Sequence, residues 1–210
     1  MKKTYKQFLQ EAKSRKRTSL QILGWEEAEN FTGNKMSFRK MTKIAKQHAK
    51  GVIGNGSARV ALEVDYRNFT TVMKIAKNER GFAQNLAEAN LYKKYNSKPP
   101  YMVPMIDFDD NYDADYAWLH VFKANKFDKN LFFRHFKVSF AEFSKTLSAI
   151  INNEENENKK NPAIKEFVKF VTKNKLQLGE YRQQSNWGTY KNKPVILDAG
   201  LTKLNMAMAW

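Results

Sequence analysis

The sequence predicts an α+β fold in which an antiparallel sheet precedes a run of helices, with a basic helical arm at the N-terminus. Stretches with strand-like alternation cluster between residues 51 and 125, whereas helix-periodic apolar stripes dominate residues 126–210. Residues 1–50 hold 13 Lys and Arg against four Glu. The chain has 210 residues, 42 % of them hydrophobic and 15 of them Phe, which is enough to fill a core. General disorder is therefore excluded.

The arm carries more than half of the formal net charge of +16. A charge of this size favours polyanionic partners such as DNA, because Lys and Arg release the counterions condensed on phosphates. Residues 4–16 predict a short amphipathic helix and residues 36–49 a second, basic one. Candidate nucleic-acid contacts are Lys13, Arg15, Lys16, Arg17, Arg39, Lys40 and Lys43.

Four strands and one helix are predicted for the sheet region. Arg59–Asp65 and Phe69–Ala76 form a hairpin, and a helix follows over about Phe82–Tyr95. Met102–Phe108 and Tyr116–Phe122 complete the set. These strands are close in sequence, so we expect an antiparallel sheet.

The last third of the chain is predicted to be mainly helical. Residues 129–151 contain a deep apolar stripe of Phe and Leu, which predicts helical structure with a buried face. The Asn- and Glu-rich segment Asn152–Asn158 is a solvated loop. Pro162 begins a helix that ends near Thr172, and Pro194–Leu197 belongs to a short terminal hairpin.

Two charged residues and a glycine turn are the first chemical signals. Gly54, Gly56 and Ser57 lie in a turn where bare backbone N–H groups can approach a phosphate, although a plain hairpin turn explains them as well. Lys74 interrupts an apolar strand, and a cation on a buried face needs a counter-charge. Glu88, on the next helix, supplies one. An exposed Lys74 is the alternative.

Two later motifs suggest oxygen ligands for a metal. Asn186 stands in the string Asn-Trp-Gly, and Asp198 leaves a buried strand two residues before Gly200. Mg²⁺ and other hard cations prefer oxygen ligands on exposed turns. The absence of Cys excludes disulfides, cysteine zinc sites and thiol nucleophiles. No apolar run is long enough to span a membrane, and the Lys-rich start lacks the apolar stretch of a secretory signal.

In this order, the motifs resemble those of the protein-kinase-like fold. The resemblance implies a small lobe in which Lys74 holds ATP phosphates, Glu88 orients Lys74, and the backbone of Gly54–Ser57 covers the phosphates. It also implies that Asn186 and Asp198 hold magnesium. The strings Gly-Phe-Ala-Gln-Asn before Glu88 and Asn-Trp-Gly at Asn186 are similar to those of small kinase-like proteins of tailed phages.

The sequence departs from the kinase pattern at three points. Arg59 stands where the third glycine of the loop is expected, and Gly179-Glu180-Tyr181 stands where His-Arg-Asp is expected. Few residues follow Gly200, so we expect a minimal kinase-like fold with a reduced helical lobe. Glu180 is the candidate base. The resemblance leaves open an ATP-dependent kinase and a non-enzymatic, pseudokinase-like protein.

The first twelve residues resemble the capsid-targeting leaders of internal head proteins of tailed phages. The resemblance implies a role in the prohead core and cleavage by the prohead protease between Glu11 and Ala12, after which the chain would carry +14. An ordinary amphipathic helix packed on the domain is the alternative. The expected segments are a leader (1–11), a basic arm (12–50), a kinase-like small lobe (51–125) and a reduced helical lobe (126–210).

Two main functions follow as expectations. The first is a kinase-like protein packaged in the phage head and injected into the host cytoplasm, where it binds ATP and magnesium and transfers phosphate to, or otherwise modifies or inhibits, a host target. The second is a non-enzymatic binding protein that binds DNA in the head or blocks a host defence enzyme. A small-molecule kinase of the cytoplasm is a third.

Overall fold

A computed structural model describes residues 21, 22, 24, 37–109 and 118–199. Within these residues, five α-helices, a five-stranded antiparallel sheet and a two-stranded hairpin confirm the predicted α+β class. The chain divides into two compact units. The sheet unit comprises the described parts of 1–89 and 105–122, and the helical unit those of 90–104 and 123–210. No helix among the described residues is both long and apolar enough to cross a membrane.

The sheet contains five strands, which are β1 (Gly51–Asn55), β2 (Arg59–Tyr66), β3 (Phe69–Ala76), β4 (Met105–Phe108) and β5 (Trp118–Phe122). Their order in the sheet is β1-β2-β3-β5-β4, with every neighbouring pair antiparallel. The predicted hairpin is confirmed, since β2 pairs with β3 along its whole length and turns between Tyr66 and Phe69. The edge strand β1 was not predicted as a separate element. The helices of this part of the chain are α1 (Phe38–His48) and α2 (Glu79–Lys94).

One face of the sheet carries the apolar core of this unit. Alternation along β2 directs Val60, Leu62 and Val64 to the same side, where they pack with residues of β3 and β5. Ala45 of α1 is fully buried in this cluster, with Met41 and Ile44 packed against it. The apolar stripe of α1 therefore covers the sheet, and its basic side chains lie on the opposite, exposed side.

The other face of the sheet carries Lys74. In register, Lys74 of β3 lies opposite Ala61 of β2 and Leu119 of β5. Glu88 of α2 contacts Lys74 on this face. The sheet thus separates an apolar layer beneath α1 from a charged cluster beneath α2.

The predicted helical stretch at residues 129–151 forms two helices. Lys137 adopts a left-handed conformation with φ of 59° and ends the first helix. Ser139 then begins the next helix with a capping box that includes Glu142. The elements are α3 (Lys129–Phe136), α4 (Phe140–Asn152), α5 (Pro162–Lys173), β6 (Trp187–Tyr190) and β7 (Lys193–Ile196), with 3₁₀ turns at Glu157–Lys160, Leu178–Arg182 and Gln184–Asn186.

Aromatic rings form the core of the helical unit. The predicted burial of Phe132, Phe136 and Phe143 is confirmed. Trp187 packs against Phe132, with 5.3 Å between ring centroids, and its indole N–H donates to the backbone oxygen of Tyr181 at 2.9 Å. Trp187 therefore anchors the turn before β6 to the core.

Candidate functional site

A buried charged triad lies on the α2 side of the sheet. The predicted ion pair is present: Lys74 Nζ lies 2.5 Å from Glu88 Oε1. Arg59 Nη1 lies 3.0 Å from the other carboxylate oxygen, Glu88 Oε2. The Glu88 side chain is fully buried, and the side chains of Lys74 and Arg59 are 11 % and 7 % exposed. One carboxylate thus binds cations from two adjacent strands.

The backbone of the sheet and helix explains this convergence. Arg59 is opposite Ala76 in the β2–β3 register, two residues from the Ala61–Lys74 pair, so both cations lie on one face. Asn85 precedes Glu88 by three residues and therefore shares its helix face. Its Oδ1 accepts a hydrogen bond of 3.0 Å from Arg59 Nη1. Arg59 was not predicted to join the pair, although the hairpin register, which places Arg59 and Lys74 on one face of the sheet, was a usable signal.

The glycine-containing turn between β1 and β2 is held by residues that follow β3. Lys77 Nζ donates to the backbone oxygen of Gly56 at 2.7 Å and to Asn55 Oδ1 at 3.2 Å. Asn78 Nδ2 donates to the backbone oxygen of Ser57 at 3.1 Å. The turn and the start of α2 are therefore linked through side chains, a contact that no sequence signal predicted.

Gly81 sets the position of α2. Its N–H donates to Asn78 Oδ1 at 3.1 Å in the first turn of the helix. A Cβ at Gly81 would lie 2.1 Å from the backbone oxygen of Ala58 and 3.1 Å from the Cα of Ala76. Only a glycine lets the helix begin this close to the strands, and Glu88 lies two turns further along the same helix.

By contrast, the fold does not require glycine at Gly54 or Gly56. Neither has a positive φ. A Cβ at Gly54 would approach nothing closer than Ala61 Cβ at 3.4 Å, and one at Gly56 nothing closer than the Arg59 backbone oxygen at 3.5 Å. Both distances are ordinary van der Waals contacts, so the local packing does not require glycine at either position.

The helical unit brings Asn186 and Asp198 to the same end of the β6–β7 hairpin. The Leu197 N–H donates to the backbone oxygen of Asn186 at 2.9 Å, which extends the hairpin register by one pair. Asn186 Nδ2 donates to the backbone oxygen of Glu180 at 2.7 Å. This hydrogen bond uses the amide nitrogen of Asn186, so the amide oxygen can still act as an acceptor. Glu180 is half-buried and contributes its backbone carbonyl to the turn.

Gly188, in the same motif, has a packing role. A Cβ there would lie 2.7 Å from the backbone oxygen of Asn125 and 2.9 Å from Leu197 Cδ2.

The described residues contain no group of three or more His, Asp or Glu able to hold a metal ion. A cation at Asn186 and Asp198 would therefore take its other ligands from water and phosphate, as Mg²⁺ commonly does.

The remaining predicted residues lie away from the triad or outside the described ranges. Arg39, Lys40 and Lys43 are exposed on α1, which covers the opposite face of the sheet. The cleavage-site residues and the first basic cluster fall outside the described ranges, as does Gly200. These undescribed residues are Glu11, Ala12, Lys13, Arg15, Lys16 and Arg17.

Comparisons with known proteins add no family to this geometry. No family model matches the chain. A search of curated proteins also gave no match.

Proposed function

We propose that the protein binds ATP with magnesium in the manner of a minimal protein kinase. The observation that carries this proposal is the 2.5 Å contact between Lys74 and Glu88, made between a central strand and the helix that follows it. In this proposal Lys74 holds ATP phosphates, Glu88 orients Lys74, and the backbone of Gly54–Ser57 covers the phosphates.

The energetics of the triad support a role beyond stability. Desolvating two cations and a carboxylate is costly, and well-packed apolar residues commonly stabilise such a position at least as well. Glu88 fixes the Lys74 ammonium as a positioned charge for phosphate oxygens. Gly54 and Gly56, which the fold does not require, would leave the turn backbone bare for close approach of a phosphate.

Asn186 and Asp198 are the proposed magnesium ligands, through a side-chain amide oxygen and a carboxylate. The ion would neutralise phosphate charge. If the protein transfers phosphate, a hydroxyl of the acceptor attacks the γ-phosphorus, and the bond from that phosphorus to the bridging oxygen breaks. ADP leaves, and the hydroxyl proton passes to Glu180, the proposed base. Without that transfer, the same site makes the protein a pseudokinase-like ATP-binding protein.

Calorimetric titration with Mg²⁺–ATP tests the nucleotide site. The Lys74→Met variant should bind at least roughly tenfold more weakly than wild type, because it loses a charge-assisted contact to phosphate. Gly56→Ala should weaken binding while leaving the melting temperature unchanged. Lys43→Met, on the opposite face of the sheet, is the matched control and should bind normally. A wild-type protein that does not bind at about 1 mM ATP would overturn the proposal.

Delivery in the phage head is a further part of the proposal. It is supported by the similarity of residues 1–12 to capsid-targeting leaders and by a net charge of +16, suited to a DNA-filled compartment. Intact mass of the protein from purified virions should show Ala12 as the first residue. An intact Met1 in virions contradicts cleavage, and absence of the protein from virions contradicts packaging. Host proteins that bind the injected protein would then be isolated from infected cells.

DNA binding is the second candidate function, and the exposed face of α1 favours it. Arg39, Lys40, Lys43 and Lys46 are all exposed, and α1 contains no carboxylate. DNA affinity should fall steeply with salt and should drop in an R39E/K40E/K43E variant. Lys74→Met should leave it unchanged. DNA binding without ATP binding would favour the non-enzymatic protein, acting in the head or against a host defence enzyme.

A further inference from the structure

The groove between α4 and α5, called here the α4–α5 groove, is separate from the residues assigned above. It has a volume of 630 Å³ and an apolar floor made by Ile150, Ile164 and Val168. Lysines surround this floor, and the described residues lining the groove include no Asp or Glu. An apolar floor with a rim of one charge sign is suited to an amphipathic partner of the opposite charge.

The lysines of the rim are regularly spaced. Lys165, Lys169 and Lys173 are exposed and recur every four residues along α5, so their charges form a line about 12 Å long. Among the described residues no carboxylate forms an ion pair with any of the three. Glu166, the carboxylate of α5, does not line the groove.

The composition of the apolar floor favours a protein helix over single-stranded nucleic acid as the partner. Binding of single-stranded nucleic acid depends on aromatic rings for base stacking, and none of the described residues that line this groove is aromatic. The side chains of Ile150 and Val168 are only half-buried, and Ile151 at the end of α4 is 47 % exposed. This aliphatic surface matches the apolar stripe of a helix, which repeats with the same spacing as the lysines.

We propose that the α4–α5 groove binds an acidic amphipathic helix of a protein partner. Leu or Ile side chains of that helix cover the aliphatic floor, and its Glu or Asp residues, spaced four apart, contact Lys165, Lys169 and Lys173. The inference is independent of ATP binding, because none of these residues belongs to the nucleotide site.

Fluorescence anisotropy with a labelled 18-residue peptide tests the groove directly. The probe carries Leu at i, i+3, i+4 and i+7 positions flanked by Glu, and a scrambled peptide of identical composition controls for charge. We expect the probe to bind the full chain with a Kd below about 100 μM, and the scrambled peptide at least roughly tenfold more weakly. Val168→Ser should lower the affinity for the probe while the circular dichroism spectrum of the protein remains unchanged.

Two triple charge reversals separate the groove from general electrostatics. The K165E/K169E/K173E variant should bind the probe at least roughly tenfold more weakly than wild type, whereas R39E/K40E/K43E on α1 should have little effect on the affinity. Equal loss in both variants, equal binding of the scrambled peptide, or absence of probe binding at about 100 μM overturns the proposal. Competition by an oligothymidylate as effective as by unlabelled probe would assign the groove to nucleic acid instead, and would also overturn it.

Discussion

Replacement of Glu88 by Gln should destabilise the sheet unit more than removal of either cation that Glu88 binds. Gln is close to Glu in size, so the substitution leaves no cavity and the lost charge dominates. Lys74 and Arg59 would then lie beside a neutral amide with side chains only 11 % and 7 % exposed. Removing one partner of a buried ion pair typically costs about 3–5 kcal/mol, and we expect a loss in this range.

Lys74→Met provides the internal comparison. Glu88 keeps its contact with Arg59 in this variant, so the expected loss is smaller, about 1–3 kcal/mol. Because the chain has two compact units, a single unfolding transition is not assumed. Native-state hydrogen exchange in urea, read on peptides that cover Phe69–Ala76, gives the free energy of opening of this region.

The free-energy loss should be larger for E88Q than for K74M, and the double variant R59M/K74M should deviate from the sum of its single variants by about 1 kcal/mol or more, since both cations act on one carboxylate. A loss below about 1 kcal/mol for E88Q would refute the buried triad. Equal losses for E88Q and K74M would refute the sharing of Glu88.

Gly81→Ala should lower stability by about 1–3 kcal/mol in chemical denaturation, because its Cβ would lie 2.1 Å from a backbone oxygen, whereas Gly51→Ala, with nothing within 4 Å, should be tolerated. Burial lowers the pKa of His120 to about 4, so the folded protein does not take up the proton that the unfolded chain binds near pH 6.5. The free energy of unfolding should therefore fall as the pH drops from about 6.5 towards 4, by up to about 3 kcal/mol, whereas above about pH 6.5 this contribution is complete. Equilibrium unfolding of an H120Q variant should lack this part of the pH dependence. Ser139→Ala removes the side-chain acceptor of the α4 capping box and should cost about 1 kcal/mol, measured by urea unfolding; no loss would contradict the role of the cap.

Local patterns predicted much of the sheet unit. Alternation in β2 and β3 predicted their hairpin, and helical periodicity predicted α1 to within two residues, since each pattern depends on neighbours in sequence. The pairing of Lys74 with Glu88 followed from charge balance, because a cation on a buried strand face requires a partner.

The break between α3 and α4 shows where periodicity misleads. The apolar stripe continues through the break, because both helices bury Phe residues in the same core. Lys137 ends α3 without a Gly or Pro to mark the position. Ser139 followed by Glu142 was the available signal, since a capping box marks a helix start even within an apolar pattern.

The sequence by itself determined the α+β class, the apolar and charged faces of the central strands, and the requirement for a partner to Lys74. Only the tertiary structure decided that Arg59 shares Glu88 and that Lys77 and Asn78 hold the glycine turn. These contacts join residues about 20–30 positions apart, so they depend on strand register and on where α2 begins. Neither quantity is encoded in local periodicity, because both are fixed by packing between elements.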